Sequence, residues 1–237
     1  MTAVKKYKNQ SRYTVAVDCI VFGFDGEHVN ILLIKRGFEP DKGKWSLMGG
    51  FIKPTESAED AAQRILQELT GLDGIYQEQL KVFSYPERDP LERTISICFF
   101  ALIDIKKYKE AINNDYQAKW FPVTKFPDLI FDHNDMVQLA KSTLKYKATS
   151  HVILFELLSE KFTLPTLQSL FEDVYDTKFD KGNFSRKMLS TGLLLKQKEK
   201  DKANSKKGAF YYKIDKKHYE QNLHKFLKLI PNPNHLL

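Results

Sequence analysis

A glycine pair, a loop and a helix that stops at a third glycine constrain this chain more than any other feature. The stretch GGFIKPTESAEDAAQRILQELTGL spans residues 49–72. SAEDAAQRILQEL (57–69) has helical periodicity. Thr55 reads as its N-cap, Glu56, Glu59 and Asp60 complement its early turns, and Gly71 can close its end. Apolar, β-branched runs lie on either side: YTVAVDCIVFGF (13–24) and VNILLIKR (29–36), joined by the turn signal DGEH, and ERTISICFFALIDI (92–105). AKWFPVTKFPDL (118–129) reads as a strand and then a loop, and Asp132 can cap a helix from about Asn134 to Lys147.

Beyond residue 147 the pattern changes. VILFELLSEKF (152–162) reads as a helix. TLPTLQSLFEDVYD (163–176) reads as a second, capped by Thr163, with Pro165 in its first turn and Leu164, Leu167, Leu170, Phe171 and Val174 on one face. DKGNFSRKMLSTGLL (180–194) is a third, ending near Gly192, and two strands with a basic turn follow. Three helices and a hairpin in that order make a winged helix-turn-helix. Charge follows the same division. Residues 148–237 carry 16 Lys+Arg against 10 Asp+Glu, whereas residues 1–147 carry 21 against 20. A basic block on a near-neutral chain suggests a polyanion partner, and a solvated lysine-rich surface is the alternative.

No apolar run is long enough to span a bilayer, and the charged N-terminal stretch MTAVKKYKNQSRY lacks the apolar core of a signal peptide, so a cytoplasmic protein with no membrane partner is expected. Cys19 and Cys98 sit in strand-like runs and read as buried small hydrophobes.

The 49–72 stretch resembles the Nudix box. Gly50, Glu56, Arg64, Leu66, Glu68, Gly71 and Leu72 stand at that family's spacing, after the entry segment WSLMGGF. In active members positions 65, 68 and 69 present carboxylates to Mg2+ from one helix face. Here the face reads Ile65, Glu68, Leu69. The resemblance therefore implies a Nudix fold without its metal chemistry: no catalytic residue, no metal ligand and no cofactor. The whole chain resembles the Nudix-related transcriptional regulators, in which a Nudix-like sensor precedes a winged helix. CIVFGF, WSLMGGFI and FDHNDMV are most similar to the L-arabinose-responsive branch of the Bacteroidetes, and a second branch senses ADP-ribose. The fold class implied is α+β, a Nudix-type α/β/α sandwich with a mixed sheet over residues 1–147, then a winged helix-turn-helix over 148–237.

Candidate ligand groups are Asp18, Lys35, Trp45, Glu68, Arg88 and Asp89. Asp18 lies inside an apolar strand, where a carboxylate needs ligand hydroxyls or an internal arginine. Trp45 could face a sugar ring or fill the core. Lys35 and Arg36 close the second strand and face either pocket or solvent. Arg88, Asp89 and Arg93 belong to the charged loop YPERDPLERTIS (85–96), which could meet a phosphate, a sugar or a partner subunit. His133 reads as part of a helix N-terminus. Candidate DNA-binding residues are Asn183, Ser185, Arg186, Lys187 and Ser190 on the third helix, with Lys206 and Lys207 at the hairpin tip beside Lys202. Phe184, Met188 and Leu189 are expected to anchor that helix.

The expected function is a homodimeric, ligand-responsive repressor of sugar-utilisation genes. It would bind a palindromic operator in double-stranded DNA and be released by a small effector, L-arabinose first and ADP-ribose second. Two other classes stay open: an ADP-ribose pyrophosphatase-like hydrolase using Glu56 and Glu68, and an RNA-binding or scaffolding protein.

Overall fold

The strands carry the parity that sorts the core. In a computed structural model, which describes residues 10–108, 116–149, 152–202 and 208–215, β1 (Thr14–Phe24) is the central strand. It pairs in parallel with β6 (Thr94–Asp104) and antiparallel with β2 (Val29–Lys35). The mixed sheet has seven strands. β3 (Trp45–Ser46) and β7 (Lys119–Pro122) join β2, β4 (Met48–Phe51) joins β1, and β5 (Tyr76–Phe83) forms the far edge on β6.

Successive side chains leave opposite faces of a strand. Val17, Cys19 and Val21 meet Ala61, Ala62, Ile65 and Leu66 of α1 (Ala58–Thr70). Ile20, Phe22 and Phe24 meet Met136, Val137, Ala140 and Leu144 of α3 (His133–Lys147), which follows a single turn, α2 (Ile105–Tyr108). The sheet thus lies between helices, and Asp18 shares the parity of the α3 side. Both cysteines are buried and free.

The α1 cap is not Thr55. Ser57 accepts from the Asp60 backbone N–H while the Asp60 carboxylate accepts from that of Ser57, a reciprocal box that places the helix start two residues later. Gly71 ends α1 at φ 76°, where a side chain would be strained.

The segment 152–162 is not the helix its apolar content suggests. Val152–Leu157 is a short 3-10 turn, and Phe162 belongs to β8 (Phe162–Thr163), paired with Tyr212. α4 (Leu164–Tyr175) starts on Thr163 with Pro165 in its first turn, and α5 (Lys181–Ser190) starts on Asp180. β9 (Leu194–Asp201) and β10 (Ala209–Ile214) complete a three-stranded sheet in the order β8-β10-β9.

One hydrophobic cluster runs from the sheet through Leu144, Ala148 and Leu154 to Leu170, Phe184 and Met188. Polar contacts bridge the same junction. The Val29 backbone N–H donates to Asp173 Oδ2 at 2.6 Å, and Ser159 Oγ donates to Asp104 Oδ2 at 2.6 Å. Among the described residues no helix is long and apolar enough to cross a membrane.

Candidate ligand pocket and nucleic-acid interface

Asp18 sits where β1 runs between Gly49 of β4 and Cys98 of β6. A Cβ at position 49 would lie 2.4 Å from Asp18 Oδ1, so a glycine there keeps the carboxylate reachable. The cavity in front of it encloses about 130 Å3. Lys35, Arg36, Leu69, Arg88, Asp89 and His133 help to line it.

Its floor is a buried charge cluster. Ser96 Oγ donates to Asp18 Oδ2 at 2.6 Å, and Arg88 Nη2 donates to the same oxygen at 3.3 Å. Arg88 also donates to both oxygens of Asp132, from Nε at 2.9 Å and Nη2 at 2.7 Å. Asp132 precedes α3, but its carboxylate makes no capping bond there. His133 Nδ1 accepts from the Leu47 N–H at 3.2 Å, so its proton sits on Nε2, 3.5 Å from Asp18 Oδ1.

Burial lowers the His133 pKa; Asp18 and Asp132 oppose this, while Arg88 and Arg36 add to it. The unfolded chain therefore takes up this proton first. The stability that neutral His133 contributes is present above about pH 6.5 and is lost as the pH falls toward its lower folded pKa. Urea unfolding at about pH 7.5 and about pH 5.5 is expected to show that loss, and His133→Gln should flatten it. An unchanged pH dependence in the variant would assign the loss elsewhere.

The two glutamates at the box positions, Glu56 and Glu68, both accept from Arg64. Glu56 accepts from Arg64 Nε at 2.9 Å and Nη2 at 2.6 Å, and Glu68 accepts from Nη1 at 3.2 Å. Arg64 Nη2 also donates to the Phe51 carbonyl at 3.1 Å, tying helix to loop. The Arg64 guanidinium holds the Glu56 carboxyl down at about 2, with a second bond from the Lys53 N–H. Ile65 packs beneath Gly50, where a Cβ would come within 2.8 Å of Ile65 Cδ1, and Leu69 faces the cavity. Mg2+ takes several oxygen ligands in near-octahedral array. Two carboxylates committed to one guanidinium, beside two apolar side chains, do not fit it. Among the described residues no three His, Cys, Asp or Glu side chains converge as a cage.

The structure brings together Asp18, Lys35, Arg88 and Asp89. Trp45 and Glu68 are not among the side chains that line the cavity. Trp45 packs edge-on against Phe121 at 4.9 Å and carries Lys35 Nζ over its ring at 4.1 Å, while Glu68 points outward to Arg64. Arg93 pins its own loop through the Ser84 and Tyr85 carbonyls. Phe38, Phe131, Tyr116 and His133 also line the cavity, none of them expected there from the sequence, and Asp132 reaches it only through Arg88. The guanidinium of Arg36 lies 4.1 Å from the Phe38 ring and 5.1 Å from that of Phe131.

At the other end of the molecule α5 presents Asn183, Arg186, Lys187 and Ser190 to solvent, with Ser185 half-buried. Arg186 Nη2 donates to Asn183 Oδ1 at 2.7 Å, which holds the stripe in one arrangement. Phe184 and Met188 anchor the helix; Leu189, expected beside them, is 46% exposed because its position turns away from α4. On the wing, Lys196 and Lys200 lie over the Phe210 ring at 3.7 and 4.4 Å. Lys206 and Lys207 lie outside the described residues. The exposed face combines a planar fork, an amide and an ammonium, groups suited to base edges and phosphates.

Comparison with known proteins gives the following. The family model described as "NUDIX domain" matches residues 12–140, and that described as "NrtR DNA-binding winged helix domain" matches residues 154–214. The chain is 30% identical over 225 residues to the "ADPR responsive transcriptional repressor NtrR" of Acinetobacter baylyi, covering 93% of this chain and 88% of that protein. Shewanella oneidensis NrtR, solved in complex with a 27mer DNA, superposes with a TM-score of 0.75 at 29% identity, covering 85% of this chain and 93% of that one. The NUDIX domain of the same protein, solved with ADP ribose, gives a TM-score of 0.50 at 28% identity over 59% of this chain and 94% of that one.

Proposed function

The chain belongs to the Nudix family and continues into an NrtR-type winged helix, and from that premise we propose that it is a DNA-binding transcriptional repressor whose Nudix domain senses a ligand without hydrolysing it. Residues 1–147 are the sensor and residues 148–237 the DNA-binding part, with two copies reading a palindromic duplex. The observation that carries the reading is the continuous core that joins the pocket-bearing sheet to the exposed basic helix.

ADP-ribose is the effector that we adopt. The Acinetobacter repressor is named for it, and the Shewanella domain was solved with it. The sequence reading put L-arabinose first; none of the relatives just described is named for it, and it becomes the control.

Ile65 and Leu69 at two box positions, and the bonds of Glu56 and Glu68 to Arg64, support a sensor that does not hydrolyse its ligand. Incubation of ADP-ribose with the protein and Mg2+ is expected to release no AMP above the protein-free rate, while calorimetry detects binding. Mg2+-dependent AMP release that Glu68→Gln abolishes would make the protein an enzyme instead.

A further inference from the structure

The cavity in front of Asp18 has a volume of about 130 Å3 and opens to solvent. Sites that take a whole drug-sized ligand enclose roughly 300–1,000 Å3. A ligand much larger than one ring therefore extends beyond this space toward the mouth. Which end enters is decided by charge.

Arg88 supplies the positive charge at the floor, but Asp18 and Asp132 flank it, and Asp132 takes it bidentately. His133, with its pKa lowered by burial, adds no charge near neutral pH. The balance of these groups is one negative charge, and Asp18 Oδ1 faces the opening that Gly49 leaves. An anion entering would meet a carboxylate oxygen and an arginine whose Nε and Nη2 already donate to Asp132 and Asp18. A hydroxyl entering would donate to that oxygen, the stronger kind of hydrogen bond because its acceptor is ionised. Elsewhere in the lining two cations outnumber one carboxylate, Asp89, whose oxygens accept from the Leu91 N–H and Thr94 Oγ1. Lys35 and Arg36 also line the cavity, and their cationic groups rest on aromatic rings, Trp45 for one and Phe38 with Phe131 for the other.

We propose that the floor formed by Asp18, Arg88 and His133, with Asp132 holding Arg88, selects an uncharged, hydroxyl-bearing sugar end, and that the phosphates of the ligand stay outside at Lys35 and Arg36. This rests on the sensor reading above and adds to it the direction in which the ligand enters.

Calorimetry on the full chain tests it with ADP-ribose, ADP (which lacks the terminal sugar), L-arabinose and inorganic phosphate. ADP-ribose is expected to bind at least about tenfold tighter than ADP, and Asp18→Asn to lower only the ADP-ribose affinity, by roughly 10- to 100-fold. If phosphate occupied the floor, removing a carboxylate would raise nucleotide affinity, and that sign would overturn the proposal. If ADP-ribose fails to bind but L-arabinose binds and is lost in Asp18→Asn, the floor assignment stands and the choice of effector falls. If neither sugar-bearing ligand binds, the floor assignment falls. Asp18 is buried, so a second variant guards against misfolding. Asp132→Asn, at a more exposed carboxylate, frees Arg88 and should raise inorganic phosphate affinity at least about tenfold. No gain in a folded Asp132→Asn would overturn the charge argument.

Discussion

Arg186→Ala combined with Lys187→Ala is expected to weaken binding to the cognate duplex by at least about a hundredfold, since a bidentate base contact carries roughly 1–3 kcal/mol and a phosphate contact adds to it. Both side chains are exposed on α5, and the helix is anchored through Phe184 and Met188 instead. The variant should therefore unfold at the wild-type temperature and bind ADP-ribose as before. Fluorescence anisotropy at one fixed salt concentration measures the loss, because phosphate contacts make every affinity salt-dependent. A change of less than about threefold would remove α5 from the interface.

The second large effect is on stability. Arg88→Ala leaves Asp18 and Asp132 facing each other with no cation between them. Breaking a buried ion pair from one side costs about 3–5 kcal/mol, because the remaining charge stays desolvated. The Arg88 side chain is only 3% exposed, so water cannot replace it without local opening. For a chain of this size the midpoint of thermal unfolding should fall by about 6–20 °C. Asp132→Asn added to Arg88→Ala should recover part of the loss. A single variant within about 1 kcal/mol of wild type would mean that water reaches the cluster and that Arg88 is not the buried counter-charge described above.

Much of this was legible in the sequence where the signals are local. The period of two along β1 separates Val17, Cys19 and Val21 from Ile20, Phe22 and Phe24, and so assigns Asp18 to a face before any partner is known. Gly71 and the acidic first turn delimit α1, and the glutamate spacing identifies the box. The partners were not legible. Arg88 stands in a charged loop with several possible partners, and it turns inward to two carboxylates that lie 70 and 44 residues away along the chain. No local pattern reports such a distance.

Glu68 illustrates the same limit. Counting acids marks it as a ligand candidate, whereas it pairs with Arg64 one turn back and does not line the cavity. That signal was present in the sequence as an i,i+4 pair. Trp45 had two readings, and packing against Phe121 favours the core. Phe162 shows the ambiguity of short apolar runs. Its segment has helical content, but cross-strand pairing with Tyr212 decides its conformation.

The central claim is that one pocket controls one DNA-binding face. The most direct measurement titrates the full chain into the duplex upstream of its own gene at fixed salt, alone and with saturating ADP-ribose or L-arabinose. The account predicts tight, sequence-specific binding that ADP-ribose releases and L-arabinose leaves intact. Binding that is indifferent to ADP-ribose, or an absence of sequence-specific binding under every condition, would contradict it.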